Sequence, residues 1–143
     1  MTDYPRIDVT VDVVALATVG DEQHLLVVRR GNPPFEGQWA LPGGYLEVDE
    51  DLATSAAREL SEETGLGVDA ADLSQLGAYG TPDRDPRGRT ISVAHVLRLD
   101  SMPAVKGDDD ASAAQWVEVG QALDDGLAFD HEQIVRDALV RTT

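Results

Sequence analysis

A chain of 143 residues, 42% of them hydrophobic, is long enough for one domain with a substantial core, which argues against wholesale disorder. Its 27 acidic residues against 11 basic ones give a net charge of −16, so DNA, RNA and anionic membranes, which need basic surface, are not expected partners. There is no cysteine, which excludes disulfides, thiol catalysis and zinc–thiolate sites.

The opening M-T-D-Y-P-R-I-D lacks a basic segment followed by an apolar run, and the longest apolar stretch, 13–19, is too short for a bilayer. The expectation is a cytoplasmic protein, residues 1–143 forming a single domain. Residues 8–19 begin as alternation (Val9, Val11, Val13) and become continuously apolar, as a strand entering a buried sheet does. A turn at 20–23 leads to a returning strand over 24–30. Residues 31–37 contain Gly-Asn-Pro-Pro and are predicted as a loop, because neither proline suits a central strand. Trp39-Ala40-Leu41 is a short strand delivering Pro42-Gly43-Gly44.

A helix is predicted to begin near Asp49 as N-cap, with Glu50 and Asp51 in its first turn and an apolar arc of Ala53, Ala56, Ala57 and Leu60. Gly65 suits its C-terminal cap. Further strands are expected over 73–80, 90–99 and 114–119, separated by a polar arginine-containing loop at 81–89 and a loop at 100–112. Asp130 and Gln133 have capping-box spacing before a terminal helix with Ile134, Ala138 and Leu139 on its apolar side. There is no internal repeat or linker. The class is α/β, with strands outnumbering helices.

Chemistry concentrates in residues 44–66, where Glu47, Asp49, Glu50, Asp51, Glu59, Glu62 and Glu63 surround Arg58. On a helix Glu59 and Glu63 stand at i and i+4 with Glu62 beside them, so three carboxylates share one face. Anions that close require a counter-charge, and carboxylate and carbonyl oxygens suit a hard divalent cation such as Mg²⁺. The plainer alternative is a solvated acidic helix face.

Gly44, five residues, Glu50, seven residues, then Arg58-Glu59-Leu60-Ser61-Glu62-Glu63-Thr64-Gly65-Leu66 matches every fixed position of the Nudix box. The chain therefore resembles the Nudix hydrolases. The approach Trp39-Ala40-Leu41-Pro42-Gly43-Gly44 is also similar, and the departure is Asp49, where a glycine commonly stands. The resemblance implies an α/β/α sandwich with a mixed sheet, the box forming loop–helix–loop. It implies Mg²⁺, with Mn²⁺ as substitute, and hydrolysis of a nucleoside diphosphate linked to another moiety. By position, Glu59 and Glu63 would be the principal ligands, Glu62 a ligand or an aid to water activation, and the Gly43 carbonyl a further ligand. Arg58 would hold the carboxylates, with Glu50. An additional carboxylate is expected from Glu47 or from Asp108, Asp109 or Asp110. A homodimer is common among such proteins, though no stretch here specifies one.

Pro82 stands sixteen residues past Leu66, a spacing associated with the ADP-ribose pyrophosphatase branch. The segment 83–89, Ser92-Val93-Ala94 and Phe129-Asp130-His131 also resemble that branch. Arg84, Arg87 and Arg89 are candidates for the terminal ribose or a phosphate, which guanidinium groups bind well; a polar turn is the competing reading. The same segments occur in regulators of NAD metabolism, whose DNA-binding domain is not expected within 143 residues. The implied reaction is ADP-ribose to AMP and ribose 5-phosphate. The alternatives are hydrolysis of nucleoside triphosphates, including 8-oxo-dGTP, and a catalytically silent ADP-ribose-binding module. Arg29 and Arg30 are read as surface residues, His95 as packed, His131 as a helix-start residue, and Trp39 and Trp116 as core.

Overall fold

The computed structural model describes residues 3–106 and 114–141. Asp108, Asp109 and Asp110 lie outside the described residues. Strand β1 (Asp8–Val19) is the axis of a mixed sheet. It pairs antiparallel with β2 (Glu22–Arg29) through its last residues and with β4 (Gly43–Tyr45) through Thr10, Val11 and Asp12. It pairs parallel with β6 (Thr90–Leu99) along ten residues, and β6 carries β5 (Ser74–Tyr79) antiparallel on its far side. Beyond the reach of β1, β2 pairs with β3 (Trp39–Ala40), while its other edge carries β7 (Ala114–Glu118). The segment from Trp39 to Tyr45 is therefore wedged between β1 and β2 where they part. That wedge is where the candidate site forms.

Both faces of the sheet are covered, which is why β1 reads as a continuous apolar run. Val11, Val13 and Ala15 pack toward helix α1 (Leu52–Thr64) with Ala56 and Leu60. Val14 and Leu16 pack on the opposite side with Ala122 of α2 (Val119–Asp125) and with Ile134, Val135 and Ala138 of α3 (His131–Val140). Three α-helices and one 3-10 turn, Ala70–Asp72, thus complete an α/β/α arrangement among the described residues. Helix α2 and the 3-10 turn were not predicted. The α2 segment V-G-Q-A-L-D-D spans seven residues, too few to establish a helical period.

Two helix starts differ from expectation. Helix α1 begins at Leu52 with Asp51 as cap residue, so Asp49 is not the N-cap and Glu50 and Asp51 precede the helix. The Glu50 carboxylate is bound to Arg58 instead of to the helix terminus. At α3, Asp130 holds the cap position but makes no side-chain capping bond, because both its oxygens accept from Arg84. Gln133 turns to Asp137, so the capping box does not form. The other end of α1 is as expected: Gly65 adopts φ 78° and its N–H reaches the Ser61 carbonyl.

Candidate active site

Helix α1 presents its polar edge to the wedge because Ser55, Ala56, Leu60 and Thr64 turn inward, leaving Arg58, Glu59, Glu62 and Glu63 beside them. Arg58 is a hub. Its Nε meets both Glu50 oxygens at 3.0 and 2.9 Å, and its Nη1 reaches Glu59 and Glu62 at 3.2 Å each. Glu47 is 4.0 Å away, and the Tyr45 carbonyl and Ser55 hydroxyl accept from Nη2. The hydrogen bond to Glu50 leads the causes that raise the Arg58 pKa above its usual value, so the group is a permanent cation.

The three box glutamates do not stand alike. Glu62 is 61% exposed on the outer side of Arg58. Glu59 is largely buried and lies over Gly44, where a Cβ would overlap its carboxylate. Glu63 turns away from Arg58, and its Oε1 accepts the Gly43 N–H at 2.9 Å. Burial raises its pKa to about 7, with the Glu59 and Asp12 charges adding to the effect and the Gly43 bond opposing it. Burial also raises Glu59. The three carboxylates expected on one face are thus split: Arg58 pairs with Glu59 and Glu62, and among the described residues Glu63 has no salt-bridge partner.

That split decides whether a metal fits. Among the described residues no three Asp, Glu or His side chains gather into a protein-only cage. Mg²⁺ does not require one, since it retains several waters and binds through one or two carboxylates together with substrate phosphates. Glu63, with its charge opposed by burial, Glu59 beside Gly44, and the adjacent backbone oxygens form a hard-oxygen donor set of that kind. The residues fit a divalent cation.

Beneath Gly43 lies a polar group embedded in the apolar run of β1. The Asp12 carboxylate accepts from the Ser92 hydroxyl and stands 3.7 Å from His131 Nε2. His131 Nδ1 accepts the Leu41 N–H at 3.0 Å, and burial lowers its pKa, so the neutral imidazole with the proton on Nε2 is the form that satisfies both contacts. A Cβ on Gly43 would overlap the Val11 carbonyl and the Asp12 carboxylate. His131 therefore does more than start a helix: it fixes the strand segment that supplies Gly43.

A cavity of about 740 Å³ opens over these groups. Asp12, Glu62, Glu63 and Asp85 line it together with Arg29, Arg30, Arg84, Arg87 and Lys106, the last packed against the C-terminal end of α1. Arg84 is only 4% exposed and chelates Asp130 at 2.6 and 2.9 Å. Pro82 is exposed and outside the lining. It occupies the second position of the turn closed by the Arg84 N–H and the Thr81 carbonyl, where its fixed φ helps aim Arg84 inward. Arg87 chelates Asp85. Arg89 donates to the Gly80 carbonyl and lines a smaller neighbouring cavity, not the main one. Glu47 is 62% exposed at the rim of the Arg58 cluster. Arg29 stacks 4.0 Å over Trp39, and Arg30 stands over Phe129, so both line the cavity where a surface role was expected. His95 is packed in β6 as expected. Asp12 and Lys106 escaped the sequence reading, Arg30 was read as a surface residue, and Phe129 entered only as part of Phe129-Asp130-His131; Asp12 carried a signal, as an isolated charge between Val11 and Val13.

An ADP-ribose pyrophosphatase of Methanocaldococcus jannaschii is 40% identical over 116 residues, covering 81% of this chain and 66% of that protein. The ADPR responsive transcriptional repressor NtrR of Acinetobacter baylyi is 34% identical over 142 residues, 98% of this chain and 56% of that protein. The chain thus spans somewhat over half to about two thirds of these relatives' lengths. The NUDIX domain of Shewanella oneidensis NrtR, crystallised with ADP ribose, superposes with a TM-score of 0.87 at 30% identity, covering 98% of this chain and 91% of that one. A structure of Shewanella oneidensis NrtR with a 27mer DNA gives 0.72 at 28% identity, covering 91% and 59%. Nucleic acid is therefore bound by a protein of similar fold, a partner that net charge alone had set aside for this chain. Among the described residues no helix is long and apolar enough to cross a membrane. The NUDIX domain family model matches residues 8–138, and the chain belongs to the Nudix family.

Proposed function

We propose that this chain hydrolyses ADP-ribose to AMP and ribose 5-phosphate with Mg²⁺, or Mn²⁺ in its place. The observation that carries the reading is one cavity lined both by Glu62 and Glu63 of α1 and by Arg29, Arg30, Arg84 and Arg87. Diphosphate oxygens need both, a metal-ligating wall and a cationic one. Glu59 and Glu63 would hold a divalent cation, which would supply charge neutralisation at phosphorus and lower the pKa of water. The chain's own groups do the rest. Arg58 holds Glu59 and Glu62 in place, and the Gly43 N–H fixes the orientation of Glu63. Glu62, exposed at the cavity edge, is placed to accept a proton from the attacking water. Arg84 and Arg87 receive phosphate or ribose oxygens, Pro82 aims Arg84, and Arg89 braces the loop that carries them. Asp108, Asp109, Asp110 and Glu47 are the candidates for one further carboxylate. Hydrolysis consumes one water and breaks one P–O bond of the anhydride.

ADP-ribose is preferred over other diphosphates because similar proteins are an ADP-ribose pyrophosphatase and a domain crystallised with ADP ribose. The second reading, ADP-ribose binding without turnover, is favoured by the 98% coverage against an ADPR responsive repressor. The test is AMP release from ADP-ribose with Mg²⁺, beside dGTP and 8-oxo-dGTP. Fast release from ADP-ribose alone is expected. Faster cleavage of a triphosphate would overturn the substrate, and tight binding of ADP-ribose without AMP would favour the regulator.

A further inference from the structure

Phe35 and Phe129 are the only phenylalanines of the sequence. They are also the only non-glycine residues with positive φ among the described residues, at 61° and 55°. A bulky residue in the left-handed region costs on the order of 1 kcal/mol or more, so the surroundings must enforce it. Around Phe129 they do. The Ala128 N–H is bonded to the Trp39 carbonyl on one side, and Asp130 is chelated by Arg84 on the other. The two rings meet edge to face at 4.9 Å, which fixes the Phe129 ring at the cavity wall.

Against that ring stand two guanidinium groups from separate segments. Arg30, at the end of β2, is 5.0 Å from its centroid, and Arg87, from the loop before β6, is 5.5 Å. Both distances are within cation–π range. Arg87 is paired with Asp85, but the N–H contacts of Arg30 go to the carbonyls of Pro34 and Asn32, and none to a carboxylate among the described residues. Two cations held against one ring repel each other, in a protein whose acidic residues outnumber its basic ones 27 to 11. An anion bound by both turns that repulsion into affinity.

We propose that Phe129 is a positioning residue whose ring holds Arg30 and Arg87 together as a clamp for the diphosphate oxygens of the substrate. The clamp deepens the diphosphate reading and rests on it for the identity of the anion. The strained backbone is what brings one ring within reach of two arginines 57 positions apart in the chain.

The test compares wild type, Arg30→Gln, Phe129→Leu and Phe129→Trp in steady-state hydrolysis of ADP-ribose with Mg²⁺. Arg30→Gln and Phe129→Leu should each raise KM about tenfold while kcat moves far less, the size expected for one charge-assisted contact. Phe129→Trp keeps a π face and should recover most of the loss. The KM ratio of Arg30→Gln to wild type should shrink at high salt. A merely structural ring would lower stability and kcat together, with no KM change and no salt dependence, and that result overturns the clamp. Arg30→Gln leaves the strained residue untouched, so an unchanged KM there overturns the clamp even where Phe129→Leu fails to fold. Where ADP-ribose is not turned over, the same four proteins are titrated calorimetrically with inorganic pyrophosphate and Mg²⁺. Affinity lost in Arg30→Gln and Phe129→Leu and regained in Phe129→Trp supports the clamp while removing ADP-ribose as substrate. Equal affinities in all four, or no binding by wild type, overturn it.

Discussion

Glu63→Gln separates the electrostatic role of this group from its part in turnover. Burial raises the Glu63 pKa from 4.5 to about 7, with Glu59 and Asp12 contributing. The sign follows from proton counting. Below pH 4.5 the carboxyl is protonated in both folded and unfolded chains and has no effect. Between 4.5 and about 7 the folded chain retains a proton that the unfolded chain has lost, so stability falls as pH rises. Above about 7 the cost is complete, about 3 kcal/mol. Glutamine removes the charge and keeps an oxygen for the Gly43 N–H. The metal-free variant should therefore match wild type at pH 4.5 and exceed it at pH 8.5 by up to about 3 kcal/mol, roughly 10 °C in Tm for a domain of this size. The assay is thermal unfolding with chelator across that pH range. Mg²⁺ should then raise the wild-type Tm at pH 8.5 far more than that of the variant, because ligation requires the ionised carboxylate. Parallel pH curves for the two proteins, or a variant less stable at pH 8.5, would refute a buried and unneutralised charge at Glu63.

Three other substitutions probe separate contacts. Gly44→Ala places a methyl into the space of the Glu59 carboxylate, which can swing aside at little cost in stability; Tm should hold while Mg²⁺-dependent turnover falls at least about tenfold, one misplaced ligand being enough, and normal turnover would refute the stated position of Glu59. Arg84→Ala leaves Asp130 half-buried and unpaired, which should cost about 3 kcal/mol in urea unfolding, with Arg84→Lys recovering only part because it lacks the planar fork; a loss below about 1 kcal/mol would place this pair among ordinary surface bridges. Asp12→Asn removes a like charge from the surroundings of Glu63, so the Glu63 midpoint, read by carboxyl-carbon NMR without metal, should move to lower pH. An unmoved midpoint would show that burial and the Glu59 charge raise it without Asp12.

Legibility in the sequence followed the distance over which each contact acts. The carboxylate spacing and the end of the box were readable, because that geometry is helical: Glu59 and Glu63 four apart, Gly65 as a left-handed cap; its helix start was not, Asp51 taking the place read for Asp49. The sheet strands were readable from alternation and apolar runs, and Gly43 and Gly44 from the motif. What was missed depends on pairs far apart in the chain. Asp130 looked like a helix cap because its local spacing said so, yet Arg84, 46 residues earlier, takes both its oxygens. His131 was read as structural and is, but its partner, the Leu41 N–H 90 residues away, was not legible locally. Arg30 looked like the exposed end of a strand until the Phe129 ring arrived beneath it. Competition for one carboxylate between a backbone N–H and a guanidinium cannot be read locally, and the guanidinium wins here because its bidentate, charge-assisted contact is the stronger one.

Charge distribution links the site to its proposed ligand. With a net charge of −16, the average surface repels a diphosphate at long range. Yet Arg29, Arg30, Arg84, Arg87 and Lys106, five of the eleven basic residues, line one cavity. They arrive there from the end of β2, the loop before β6 and the segment after β5–β6, so no single stretch of chain carries the cationic wall. Of the carboxylates lining the cavity, Glu62 and Glu63 come from one turn of α1, with Asp12 from β1 and Asp85 from the loop before β6. Under the proposed function, reaction chemistry would be confined to α1, while the candidate anion contacts sit on loops and strand ends braced by Asp85, Asp130 and Phe129. A substitution in the loops can alter which diphosphate is held without disturbing the carboxylates, and a substitution in α1 can stop hydrolysis without abolishing binding. The separation makes Arg30→Gln and Glu63→Gln opposite experiments: the first should weaken ADP-ribose binding and keep the pH-dependent destabilisation of the metal-free chain, somewhat enlarged because the Arg30 charge opposes the raised Glu63 pKa, and the second should remove that pH dependence and spare binding. If both variants instead lost affinity and pH dependence together, the two walls would be one coupled network, and the division of roles argued from their geometry would fall.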